Sequence, residues 1–298
     1  MRKLRHFLFA LAATLIAAEQ SFAADVVSQI ETNGTTITYI DEGSGDPVVF
    51  IHGGLADLRT WAALQPYIAD KRRFIALNLR YFGEGEWADD GALFTADTHI
   101  ADVAGFIRAL DVGPVDIVGW SFGGDIAVGV ALAHPQLIRT LIVFEPTLGG
   151  LIKEGAAGDP ARQKQGEIFG PVIAALEAGD IATGTKRSVE GVLGLAAGEF
   201  ENLDNGFKTV FLQNARTLPL WLATPGVAVN CEMLGDLDRP ALVIKSDAGQ
   251  AFFEHISDSM ADCLRNGKLA VLPNSNHAGP GTQPEAMAAI IEGFLASH

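Results

Sequence analysis

The chain has 298 residues, 48% apolar and 19% charged, with 21 Lys and Arg against 36 Asp and Glu for a formal net charge of −15. Such a composition suits a well-buried globular chain and excludes a disordered one. The acidic balance argues against nucleic acid and anionic membrane surfaces as partners, because both are bound by clustered Lys and Arg.

The chain opens with Arg2, Lys3 and Arg5, then an apolar stretch from Phe7 to Ala18, then small residues at Ser21 and Ala23. This order is that of a secretory signal peptide over residues 1–23, with an apolar run too short for a comfortable membrane span. Its removal takes away three cations and Glu19, leaving a net charge of −17. The expected mature protein is exported, periplasmic or secreted, with no stable membrane insertion.

Residues Val26–Glu31 and Thr35–Tyr39 alternate in polarity and predict an antiparallel hairpin. Short apolar runs follow at Val48–Ile51, Phe74–Leu79, Val115–Trp120, Thr140–Phe144, Ala241–Lys245 and Leu269–Leu272. Unbroken apolar runs mark strands buried on both faces, as in a parallel sheet. Amphipathic stretches at Thr98–Leu110, Phe122–His134, Phe252–Leu264 and Pro284–Leu295 predict helices between and after them. The expected fold is α/β, a doubly wound, mostly parallel sheet with ligands outside the carboxyl ends of its strands.

From Thr147 to Asp238 no strand pattern occurs, and short helical patterns such as Pro171–Glu177 and Phe207–Thr217 appear. An insertion leaving a strand's carboxyl end emerges beside the ligand crevice. The expected organisation is therefore a core of residues 24–146 and 239–298 with a helical cap over 147–238. Trp120, Leu55, Phe211 and Trp221 are the candidate substrate-pocket residues.

The sharpest motif is Gly119-Trp120-Ser121-Phe122-Gly123-Gly124, between a strand run and a helical pattern. That context is the one a nucleophile elbow needs, with Ser121 at the tip of a tight strand-to-helix turn. His52-Gly53-Gly54 ends the run Val48–Ile51. Its Gly54 N–H and the N–H of Phe122 are the candidate donors of an oxyanion hole. His52 itself reads as a structural loop residue, and Asp125 as a residue compensating the helix dipole. A serine hydroxyl needs an imidazole to take its proton. Of seven histidines, His277 is the one in a loop after a late strand run.

Neither Cys231 nor Cys263 belongs to a CxxC or has a histidine at metal-ligand spacing. They are open to a disulfide or to two buried thiols. Neither an HExxH nor a phosphate-binding glycine loop occurs, so no cofactor and no metal is expected.

In this order, HGG, the G-W-S-F-G-G elbow, Asn78-Leu79-Arg80 with Gly83 and Gly85, and a late histidine, the chain resembles the α/β-hydrolase family over essentially its whole mature length. Arg80-Tyr81-Phe82-Gly83 is similar to that family's R-G-x-G loop. The resemblance implies a triad acid in one of two places. Most relatives carry it as the Asp of a G-x-x-D turn after the strand corresponding to Ala241–Lys245; here that turn is Ser246-Asp247-Ala248-Gly249, with glycine where the Asp falls. A branch resembling haloalkane dehalogenases carries it after the strand corresponding to Thr140–Phe144, which here is Glu145. Glu145 is the preferred acid and Asp247 the alternative. A serine at the elbow disfavours dehalogenase and epoxide-hydrolase chemistry, which in such relatives uses aspartate. The implied activity is hydrolysis of a small ester, lactone or related carbonyl substrate through an acyl-enzyme. Acyl transfer, carbon–carbon bond hydrolysis, hydroxynitrile lysis, cofactor-free peroxidation and low-turnover ligand binding share the same machinery. Oligomeric state is left open.

Overall fold

The computed structural model describes residues 27–298, so the signal-peptide segment lies outside the described residues. Eight strands form one sheet: β1 (Val27–Thr32), β2 (Thr35–Gly43), β3 (Pro47–Ile51), β4 (Arg73–Leu77), β5 (Val115–Trp120), β6 (Ile138–Phe144), β7 (Ala241–Ser246) and β8 (Gly267–Leu272). Their spatial order is β1-β2-β4-β3-β5-β6-β7-β8. The β1–β2 and β2–β4 pairs are antiparallel and the remaining pairs parallel. Every residue of β3 and β5 is buried, as expected of strands covered on both faces.

The edge strand β8 departs from that expectation. Leu269 and Val271 are 45% and 47% exposed. An unbroken apolar run does not distinguish a central strand from a terminal one, and here β7 alone pairs with it.

The main helices are α1 (Gln65–Ala69), α2 (Ala96–Leu110), α3 (Phe122–Ala133), α4 (Asp159–Glu177), α5 (Ile181–Leu193), α6 (Asn205–Gln213), α7 (Leu218–Ala223), α8 (Cys231–Gly235), α9 (Ala251–Cys263), α10 (Gly279–Thr282) and α11 (Pro284–Leu295). Helices α4 to α8 are inserted between β6 and β7. The segment expected to begin at Pro171 is part of the longer α4, with Pro171 in its interior. Proline normally pushes its predecessor out of the helical region through that residue's Cβ; Gly170 has none. Among the described residues no helix is long and apolar enough to cross a membrane.

The inserted helices are tied to the core by a buried polar latch. Asn214, after α6, donates to Asp57 Oδ2 at 2.8 Å and accepts from the Gly83 N–H at 2.7 Å. Arg59 binds Asp57 and reaches Gln213 Oε1 at 2.6 Å. Cys231 and Cys263 form a disulfide joining α8 to the end of α9.

Candidate active site

Ser121 sits between β5 and α3 with φ 54° and ψ −124°. A non-glycine residue in that region stores backbone strain of about 1–3 kcal/mol. The turn is held by the Ser121 N–H on Phe144 O at 2.9 Å and the Gly124 N–H on Ser121 O at 2.8 Å. The motif's glycines answer to close approach. A Cβ on Gly119 would meet Gly123 O at 2.4 Å, and one on Gly123 would meet His52 O at 2.3 Å. Larger residues would push the elbow off the sheet.

His277 leaves the loop after β8 and is 2% exposed. Its Nδ1 lies 2.7 Å from Glu145 Oε2. Glu145 follows β6 at φ 44°, a second strained non-glycine position. Its Oε1 accepts from the Ser246 N–H at 3.0 Å and from the Ser246 hydroxyl. Burial pushes the Glu145 carboxyl upward, but the hydrogen bond and charge of His277 and the two Ser246 donors outweigh it and hold the pKa below the usual value. Asp247 points elsewhere. It accepts from the Asn274 N–H at 2.8 Å and the Ser275 N–H at 2.9 Å, so it braces the loop that carries His277 without touching the ring.

The imidazole is further fixed by stacking and by its own backbone. The Phe253 ring lies 3.9 Å from it, centroid to centroid, at an interplanar angle of 10°. The Trp120 indole N–H donates to His277 O at 3.0 Å. Phe253 and Ser246 were not singled out from sequence. Phe253 reads as one more apolar position of an amphipathic helix, and Ser246 as the first residue of the turn after Ala241–Lys245.

Gly54, Leu55, Trp120, Ser121, Phe211, Trp221 and His277 line one cavity of about 30 Å³. All four sequence-predicted pocket residues are thus beside the serine. Among the described residues Ser121 Oγ makes no hydrogen bond; it shares this cavity with the imidazole. Neither the Gly54 nor the Phe122 backbone N–H has a protein acceptor among the described residues. Both donors remain free, and Phe122 opens α3, where the helix dipole favours negative charge. Leu55, next to Gly54, adopts φ 59°.

The other candidates have different surroundings. His52 is fully buried, its Nε2 accepting from the Leu79 N–H at 3.1 Å. Its Nδ1 therefore carries the proton and donates to Gly53 O at 2.8 Å. Burial lowers its pKa to about 4, so it is a neutral strut under the Gly53-Gly54 loop. Asp125 was expected to compensate the helix dipole. It does lie in the first turn of α3, but it is buried, accepting from the N–H and hydroxyl of Thr147, and burial raises its pKa to about 7. Arg80 forms a two-pronged ion pair with Asp102 at 2.7 and 2.8 Å. Tyr81, standing where the R-G-x-G loop has glycine, keeps a glycine-like φ of 74°.

Comparison with known proteins agrees with this architecture. The model of the alpha/beta hydrolase fold family matches residues 46–282. BpoC of Mycobacterium tuberculosis, a protein named as a non-heme bromoperoxidase, is 28% identical over 281 residues, covering 88% of this chain and 98% of its own. The 2-hydroxymuconate semialdehyde hydrolase of a Pseudomonas species is 33% identical over 123 residues, 40% of this chain and 43% of that one. Among solved structures, the esterase RhEst1 from a Rhodococcus species superposes with a TM-score of 0.72 at 18% identity, covering 91% of this chain and 99% of that chain. The chain belongs to the α/β-hydrolase fold family.

Proposed function

We propose that this chain is a cofactor-free serine hydrolase of a small ester, lactone or related carbonyl substrate, with Ser121, His277 and Glu145 as its triad. The observation that carries the reading is the 2.7 Å contact between His277 Nδ1 and Glu145 Oε2, beside a serine at the tip of a strained strand-to-helix turn. Ser121 Oγ attacks the carbonyl carbon while His277 Nε2 takes its proton. Glu145 holds the Nδ1–H tautomer and stabilises the imidazolium. The Gly54 and Phe122 N–H groups receive the oxyanion. His277 then returns the proton to the leaving group, and water repeats the sequence to release the acyl group.

The hydrolase names of relatives such as that of Pseudomonas support this reading. Export is part of the proposal and rests on residues 1–23; the Cys231–Cys263 disulfide supports it, since such bonds persist in oxidising compartments. The likeness to BpoC favours one second reading, in which hydrogen peroxide rather than water takes the acyl group and leaves as a peracid.

The test is intact-protein mass spectrometry after exposure to a fluorophosphonate. A single adduct on the wild type, absent in Ser121→Ala, is expected. No adduct on folded wild-type protein would overturn the triad. Peracid formation from acetate and peroxide without ester hydrolysis would favour the second reading. The unlabelled mass reports whether residues 1–23 have been removed.

A further inference from the structure

The cavity over Ser121 is too small for a substrate. Its volume of about 30 Å³ is room for about two water molecules. A groove of about 630 Å³ lies next to it, within the range of small-molecule sites. Trp221 belongs to the walls of both. On the groove side the floor is aromatic: Phe94 and Phe122 stack at 6.1 Å, and Phe169 meets Phe252 edge to face at 6.4 Å. Phe122 is also the residue whose N–H is assigned to the oxyanion, so the groove runs alongside the reacting centre.

Trp221 is held by apolar packing. The indole N–H of Trp120 is anchored to His277 O, but that of Trp221 has no acceptor among the described residues. What holds its ring is edge contact with Phe122 at 6.2 Å and Phe169 at 5.8 Å, together with Gly54 beneath it. Helix α4, which carries Phe169, also lines the groove with half-exposed Ile173 and with Gly166. A glycine inside a helix costs about 1 kcal/mol against alanine. Nothing lies within 4 Å of where a Gly166 Cβ would be, so packing does not require glycine and a larger side chain has room there.

We propose that this groove is a second subsite for the substrate of Ser121, taking a flat apolar group such as an aryl ring, and that Trp221 is the partition that turns aside when a substrate spans both spaces. The proposal rests on the serine-hydrolase reading for its chemistry. The aromatic floor offers faces and edges for ring stacking. The nucleophile's own cavity then receives only the short side of the scissile carbonyl.

Two obstructing variants, Ile173→Trp and Gly166→Phe, test it, with thermal melts to establish that each is folded. The first measurement is calorimetric binding of 2-naphthol, which cannot be hydrolysed. Wild-type protein is expected to bind it, and the obstructing variants to bind it at least about tenfold more weakly, a difference of about 1.4 kcal/mol. The second is the preference for 2-naphthyl acetate over methyl acetate, as a ratio of kcat/KM. That ratio is expected to fall tenfold or more in the obstructing variants and to rise in Trp221→Ala. No 2-naphthol binding by wild type, or an affinity and a preference that no variant moves, would overturn the groove. A wild type that binds 2-naphthol in the groove but takes no fluorophosphonate would sink the serine chemistry and leave the subsite standing.

Discussion

Glu145 and Gly249 share one space. A Cβ on Gly249 would lie 2.7 Å from Glu145 Oε1 and 2.6 Å from Ser246 Oγ. Gly249 stands where the G-x-x-D turn implied by the family resemblance would have its Asp. The Glu145 carboxylate reaches this space from the end of β6, and Gly249, after β7, has no side chain to oppose it. A side chain at Gly249 would have to push the Glu145 carboxylate or the Ser246 hydroxyl aside.

Glu145→Gln should therefore lower kcat by about 10³–10⁴-fold, since an amide cannot hold the tautomer or stabilise the imidazolium. Asp247→Asn should leave kcat within about tenfold, because Asp247 meets backbone N–H groups and not the ring. Gly249→Ala should lie between them by displacing the Glu145 carboxylate. Steady-state kinetics on one ester, with the three variants side by side, decides the matter. An active Glu145→Gln beside an inactive Asp247→Asn would reverse the assignment.

Stability should fall as the solution is acidified from pH 6.5 toward 4.5. In that window His52 and His99 stay neutral when folded, with burial lowering their pKa values to about 4 and about 3, but take up protons when unfolded. Asp125 does the reverse: buried, it keeps its proton up to about pH 7 when folded and loses it when unfolded. The unfolded state thus binds two extra protons and the folded state one. The net of one gives a slope of about 1.4 kcal/mol per pH unit, with stability rising as pH rises. Asp125→Asn should steepen the slope. His99→Phe, placed among Phe82, Phe94 and Phe122, should flatten it. Urea titrations at pH 4.5, 5.5 and 6.5 measure this; a slope unaffected by either substitution contradicts it.

Reducing the Cys231–Cys263 disulfide should lower stability by roughly 4 kcal/mol, the loop-closure entropy for a separation of 32 residues. The bond joins α8 to α9, and α9 also carries Phe253, which stacks on His277. Melting curves with and without dithiothreitol, against a Cys231→Ser/Cys263→Ser variant, provide the check. Identical melting temperatures in all three would show that the crosslink carries no stability.

Much of the sheet was legible because buried parallel strands are written as unbroken apolar runs, and β3 and β5 follow that rule. The same rule misread β8, whose run is equally apolar but whose position at the edge exposes Leu269 and Val271. Pro171 read as a helix start because proline usually is one; Gly170 removes the clash that makes it so. Ser121, Gly54 and Phe122 stand in local turn motifs and His277 is the histidine after a late strand run; the structure brings Gly54, Ser121 and His277 to one cavity. Sequence narrowed the acid to two positions. Glu145 meets the imidazole through its own left-handed backbone and the space left by Gly249; a glutamate does not announce such a φ, and Gly249 lies far along the chain. The stacking of Phe253 and the latch of Asn214 on Asp57 arise from contacts across more than a hundred residues or from another layer of the fold.

His277 is carried on the loop leaving β8, the strand with a single neighbour and two half-exposed apolar side chains. Such margins open at lower free energy than the interior of a sheet. Peeling β8 away would carry the imidazole from Ser121 while β3 through β7 kept their pairing. Loss of turnover in rising denaturant should then precede loss of the far-ultraviolet signal, and amide exchange should be faster in β8 than in β5. An activity assay on this protein reads the tightness of one margin of the sheet, whereas a spectroscopic melt reads the whole.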